Sequence, residues 1–268
     1  MFDPEFNDAR WNDEWLAVPI APIPSGEHPD GFRVERQPLE VAEIFGRHYR
    51  MEPPFDCRLL YDGDGLLWMS DTPQERMMMY NNAQRTRGHV LIGGLGLGLY
   101  PQYAAAAGAT GFTVIEESPA VQAITGPVLE SVLDVPLMVY TGDVSVELAG
   151  PVTQRYDTIF LDIWETLDPV HLPWINRLRN HALRHLVPGG EVLLWGYFWM
   201  VSLFVDACHQ LLAVKPGQRA AWLAEGAASS PHAVALLTPV VQHFDDVDDM
   251  EEALEWCRRH IVNLALPD

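Results

Sequence analysis

The stretch His89-Val90-Leu91-Ile92-Gly93-Gly94-Leu95-Gly96-Leu97-Gly98 decides how this chain is read. A short apolar run ends abruptly in a glycine-rich turn, and the next residues, Tyr100 to Ala107, suit a helix. Strand, turn, helix is the arrangement in which glycines let a ligand approach bare backbone at a helix start. Such turns serve phosphates, dinucleotides and other nucleosides alike. A dinucleotide fingerprint read from Gly94 requires glycine at position 99, where Leu99 stands, so the spacing favours another nucleoside ligand.

Outward from this turn the chain alternates. Phe112 to Glu116 reads as a second strand, Pro119 to Val132 as a helix, and Leu137 to Tyr140 as a third strand ending at Gly142-Asp143. Thr158 to Leu161 is a fourth strand, ending at Asp162. A helix from Pro173 to Leu186 is stopped by Pro188-Gly189-Gly190, and Val192 to Trp195 is a fifth strand. Helix is expected from Met200 to Leu212, strand from Ala233 to Leu237, and a last helix from Asp249 to Leu264, capped by Asp248. Buried, non-alternating strands separated by helices predict an α/β fold with a doubly wound, mostly parallel sheet.

Ahead of the sheet, Cys57 to Tyr61 and Leu66 to Ser70 flank Asp62-Gly63-Asp64-Gly65, which predicts a β-hairpin. Thr72-Pro73-Gln74-Glu75 is a capping box opening a helix to about Thr86, with Met77, Met78 and Met79 as core packing. Residues 1 to about 52 read as an arm: Pro19, Pro22 and Pro24 enforce extended chain, Trp11 and Trp15 are anchors, and a short helix is expected from Leu39 to Tyr49. The expected division is an N-terminal arm (1–56), a hairpin with capped helix (57–87) and the α/β domain (88–268).

Composition narrows the partners. Seventeen basic residues against 37 acidic ones leave a formal charge of −20, which repels phosphate backbones and anionic lipid and argues against nucleic-acid or membrane binding. Three scattered cysteines, without metal spacing, fit a reducing compartment. Asp3, Glu5, Asp8 and Asp13 stand where a signal peptide needs basic residues. The longest uniformly apolar run, Val192 to Val205, is too short to span a bilayer. A cytoplasmic protein is expected. His181 and His185 share a helix face but lack a third ligand, so no metal is expected. Oligomeric state is not written in the sequence, and a homodimer stays open.

In open parallel sheets ligands bind beyond the carboxyl ends of the strands. Here those ends carry glycine or acid: the Gly94-x-Gly96-x-Gly98 turn, Glu116, Asp143 and Asp162. Glu116, about twenty residues past the turn, suits a ribose diol; Asp143 can accept from an adenine amino group; Asp162 faces the reacting centre.

Residues 57 to 197 resemble the class I S-adenosylmethionine-dependent methyltransferases, and within them the spermidine synthase-like proteins. The resemblance rests on the hairpin and capped helix, Val90-Leu91-Ile92 with its loop, Ile115-Glu116, Gly142-Asp143, and Tyr156-Asp157 leading to Leu161-Asp162. It implies a methyltransferase-like fold with S-adenosylmethionine held by Gly93, Gly94, Leu95, Gly96, Gly98, Glu116, Glu117, Gly142, Asp143 and Asp162. It also implies that Asp162 is the acid that positions or deprotonates the acceptor and that Glu165 stands where the family has a second aspartate; His171, in the same loop, is a third catalytic candidate. Two departures shift the expected chemistry. Leu97 stands where aminopropyltransferases carry an aspartate for the donor's ammonium, and Ile163-Trp164 replaces a small polar pair. Methyl transfer to a small-molecule or peptide acceptor is therefore the leading expectation. Spermidine synthase-like aminopropyl transfer and a non-catalytic nucleoside-binding module are the alternatives.

Overall fold

The glycine turn lies at the carboxyl end of the middle strand of a five-stranded sheet in the computed structural model, which describes residues 14–226, 231–244 and 249–267. In chain order the elements are α1 (Glu14–Ala17), β1 (Gly26–Glu27), β2 (Arg33–Ile44), β3 (Arg47–Tyr61), β4 (Leu67–Ser70) and α2 (Pro73–Ala83). There follow β5 (Gly88–Gly93), α3 (Leu99–Ala106), β6 (Ala109–Glu116), α4 (Pro119–Val132), β7 (Leu137–Thr141), α5 (Val144–Ala149) and β8 (Tyr156–Leu161). The chain continues with α6 (Leu172–Leu183), β9 (Leu186–Leu194), α7 (Tyr197–Leu212), α8 (Arg219–Gly226), α9 (Pro231–Phe244) and α10 (Met250–Asn263).

The described residues divide into two units. The first comprises residues 14–163 and 181–195, the second 164–180, 196–226, 231–244 and 249–267.

In the first unit, β5 to β9 form a parallel sheet of order β7-β6-β5-β8-β9. The chain builds outward from β5 to β7, then crosses back to place β8 on the other side of β5. This order puts the topological switch between β5 and β8, the place where open sheets of this kind bind ligands. This is the doubly wound α/β architecture the alternation predicts. Val90, Ile92, Phe112, Val114, Phe160 and Leu193 are at most 1% exposed, which explains the strands' uninterrupted apolar sequences. Tyr100 of α3 stacks on Phe160 with ring centroids 3.7 Å apart.

Register sets the site. Gly93 pairs with Ile115 on one side and Leu161 on the other, and Glu116 pairs with Thr141. The ladder continues beyond these strands: Gly94 N–H donates to Ile115 O (3.0 Å), Asp162 N–H to Gly93 O (2.9 Å) and Gly142 N–H to Glu116 O (3.0 Å). The four strand ends read from the sequence therefore finish level with one another.

Beside it, β1 to β4 form an antiparallel sheet. The expected helix from Leu39 to Tyr49 is instead the hairpin between β2 and β3. Phe45 and Gly46 both have positive φ (48° and 74°), the geometry of a two-residue turn matched to strand twist. Phe-Gly lacks the Asn or Asp that usually marks such a turn, so the turn was invisible in sequence. Val34, Ala42 and Ile44 are the buried residues of β2. The next hairpin forms as expected, although β3 starts ten residues earlier than Cys57. Its turn is held by the Asp62 carboxylate, which accepts from Asp64 N–H (3.0 Å) and Leu66 N–H (2.9 Å), with Gly65 at φ 82°. Thr72 caps α2 through Glu75 N–H, and Met77, Met78 and Met79 are buried.

Trp15 is fully buried against Phe55. Ala21 is fixed by Gln102 of α3, which accepts from its N–H at 2.7 Å and donates to its carbonyl at 3.4 Å. Trp11, Asp3, Glu5, Asp8 and Asp13 lie outside the described residues.

In the second unit, Asn176 donates to the carbonyls of Ile261 (2.7 Å) and Leu264 (2.8 Å) and accepts from the Tyr197 hydroxyl (2.6 Å). The expected strand Ala233 to Leu237 is helical, within α9. Leu236, Leu237, Val240, Val241 and Phe244 are its buried residues, a helical spacing that a five-residue window could not reveal. Asp249 caps α10 by accepting from Glu252 N–H (3.0 Å), while Asp248 lies outside the described residues. The short helices α5 and α8 have no counterpart in the sequence reading. No helix of the described residues is long and apolar enough to cross a membrane.

Candidate functional site

The glycine turn is shaped by three left-handed residues: Gly94 (φ 88°), Gly96 (φ 50°) and Gly98 (φ 69°). A Cβ on Gly94 would sit 2.2 Å from the Asp162 carbonyl oxygen, so only glycine allows the turn to close against the β8 end. Thr125 of α4 secures the far side, donating its hydroxyl to Gly96 O at 2.6 Å.

Glu116, 6% exposed, is the hub. One carboxylate oxygen accepts from Leu95 N–H (2.7 Å) and the other from Ser118 N–H (2.8 Å). Each oxygen keeps a further lone pair, so the group can also accept from a pair of hydroxyls. The turn's amides are unequally used. Gly94 N–H and Gly98 N–H are bonded within the fold, and Leu95 N–H goes to Glu116. Leu97 N–H reaches only a thioether, Met69 Sδ at 2.9 Å. Gly96 N–H, in a buried residue, has no acceptor among the described residues. Two adjacent backbone donors so placed suit an anionic group.

Asp162 follows β8, on the switch side of the turn. Its carboxylate makes no hydrogen bond to any described residue. Burial pushes that carboxyl up to about 7, and the nearby Glu116 carboxylate adds to the rise. A carboxyl that titrates near neutrality, without a fixed partner, is suited to taking up a proton.

Asp143 is exposed and caps α5, accepting from Ser145 N–H at 2.7 Å. Gly142 is tied to Glu116 O, and Glu117 is exposed. Gly93, Gly94, Leu95, Gly96, Gly98, Glu116, Gly142, Asp143 and Asp162 are thus brought to the carboxyl edge of one sheet. Glu165 and His171 belong to the second unit, where Glu165 is exposed and His171 Nε2 lies 3.1 Å from the Thr166 hydroxyl. His185 Nε2 donates to the Leu148 carbonyl at 3.1 Å. No group of residues able to hold a metal ion occurs among the described residues. Met69 and Thr125 were missed. Each sits in a run that reads as ordinary packing, with no chemical signal of its own.

No family model matches the chain, and no curated protein matches it. Solved structures similar to part of it include a putative O-methyltransferase from Klebsiella pneumoniae (18% identity, TM-score 0.32, 40% of this chain and 47% of that one). Another is the Trypanosoma brucei PRMT1 enzyme-prozyme complex with AdoHcy (18%, 0.33, 43% and 36%). A third is an O-methyltransferase from Bacillus cereus in complex with SAH (21%, 0.33, 44% and 52%). The chain spans about half or less of the length of each.

Proposed function

We propose that this chain is an S-adenosylmethionine-dependent methyltransferase of the class I type, acting on a small-molecule or peptide acceptor. The observation that carries the reading is Asp162: a half-buried carboxyl that bonds to no described residue, raised to about 7, at the edge of a glycine turn whose amides suit an anion. The residues present fit the donor. Glu116 has lone pairs for a ribose diol, the Gly96 and Leu97 amides suit an α-carboxylate, and Asp143 retains an exposed carboxylate beside the same edge. Bound there, S-adenosylmethionine would supply an already activated methyl group. The chain's own tasks are then to orient an acceptor and to hold its proton, which Asp162 takes up as the new bond forms. The strand order, with β5 central and its glycine turn at the switch, agrees with this type.

Aminopropyl transfer is the second reading, favoured by the hairpin and capped helix ahead of the turn. Leu97 weighs against it. Its side chain is 3% exposed within the apolar core and offers no charge to a donor ammonium that lacks its own carboxylate.

The test is calorimetry with S-adenosylhomocysteine, followed by methyl-transfer assays over an acceptor panel. Asp162→Asn is expected to bind the nucleoside as wild type does and to lose transfer by about 10²–10⁴. Absence of nucleoside binding in the wild type overturns the reading. Binding without transfer to any acceptor would favour a non-catalytic nucleoside-binding module.

A further inference from the structure

Among the described residues, Met69 is the one side chain from outside the parallel sheet that accepts a hydrogen bond from the glycine turn. It belongs to β4, where it pairs with Leu60 of β3, and its Sδ accepts from Leu97 N–H at 2.9 Å. The sulfur also lies against bare backbone: a Cβ on Gly96 would be 2.2 Å from Sδ and 2.3 Å from Cε. The main chain that carries Met69 is fixed. Two residues on, buried Asp71 accepts from Arg58 N–H, donates its own N–H to Arg58 O (3.0 Å) and pairs with Arg76 of α2. Met69 can therefore leave the turn only by rotating its side chain, and three free torsions make that easy.

A thioether is a weak acceptor, and a carboxylate is a strong one. The Leu97 amide is thus occupied by a partner that a charged ligand displaces readily, while the neighbouring Gly96 amide has no acceptor among the described residues. We propose that the Met69 thioether is a displaceable occupant of the glycine turn, which the α-carboxylate of a bound nucleoside must expel. Met69 is then a positioning residue that sets how strongly the site rewards the amino-acid end of its donor. The inference rests on the donor reading given above and goes beyond it, because it assigns the hairpin a part in ligand selection.

Two nucleosides separate the possibilities: S-adenosylhomocysteine, which carries the carboxylate, and methylthioadenosine, which lacks the amino-acid end. In Met69→Ala the affinity for S-adenosylhomocysteine is expected to rise about three- to tenfold, with methylthioadenosine changing less than twofold. Met69→Leu keeps the bulk without the acceptor and should show the same selective gain, smaller in size. An equal response of both nucleosides in Met69→Ala, or weaker S-adenosylhomocysteine binding there, overturns the inference while leaving the donor reading intact. If the wild type binds neither nucleoside, the donor reading falls and this inference with it.

Discussion

Replacing Asp162 by asparagine should make the protein more stable above neutral pH and leave its stability nearly unchanged in acid. Burial is the main cause that raises this carboxyl, and the Glu116 carboxylate is the second. The folded chain therefore keeps a proton that the unfolded chain has lost. Stability falls as pH rises from about 4, the ordinary carboxyl range, to about 7, and is level above that. A rise of the carboxyl from its ordinary 3.8 to about 7 amounts to roughly 4 kcal/mol at 1.4 kcal/mol per pH unit. Asparagine has the same shape and no charge to desolvate, so the variant escapes this cost. Urea unfolding of both proteins at pH 5, 6, 7 and 8, followed by circular dichroism, measures the difference. It should be about 1.5–2 kcal/mol at pH 5 and grow by about 2–3 kcal/mol toward pH 8. A wild-type–variant difference that is the same at pH 5 and pH 8 would refute the assignment of a desolvated, uncompensated carboxyl. The same titration makes transfer activity rise with pH through about 7, as the base loses its proton.

Glu116→Ala removes the acceptor of two backbone amides as well as the diol partner, so nucleoside affinity should fall by about 1–3 kcal/mol in calorimetry. Gly94→Ala drives a Cβ into the Asp162 carbonyl and should destabilise the fold by several kcal/mol, visible as a lower urea midpoint. Gly96→Ala meets only the flexible end of Met69, and Met69→Ala in the same chain should recover part of its loss, whereas no such partner rescues Gly94→Ala. All three cysteines are buried, and burial pushes the Cys57 thiol up to about 12. Ellman's reagent should find no fast thiol until the chain is unfolded.

The sheet was legible because its central strands β5, β6 and β8 are largely buried and end in residues with no packing reason to be there. Val90-Leu91-Ile92 before four glycines in six residues, or Ile115 before Glu116, each state a strand and its end in a few residues. The candidate residues along that edge could be picked out for the same reason. The β2–β3 hairpin was not, because its face alternates with charged and proline residues and its turn uses Phe45, a residue rarely found at positive φ. Helix α9 was hidden by its own hydrophobicity: a short apolar run fits either period, and Pro239 within it argues against helix from sequence alone. Met69 could not be singled out, since its importance comes from where β4 ends in space and its chemistry is that of any core methionine.

Gln102 joins two distant parts of the chain through a single amide group. Besides gripping Ala21, its Nε2 donates to Gly98 O at 3.0 Å, so the last glycine of the turn and the proline-rich strap share one clasp. Six residues earlier Trp15 is locked in place, its carbonyl accepting from the Tyr103 hydroxyl at 3.3 Å. Between these two rivets runs a segment stiffened by Pro19, whose fixed φ leaves little slack to take up. The length of that short bridge is consequently part of the glycine turn's own specification. One residue inserted between Trp15 and Ala21 should disturb the turn more than several inserted in the exposed stretch after Pro24, even though both changes lie far from it in sequence.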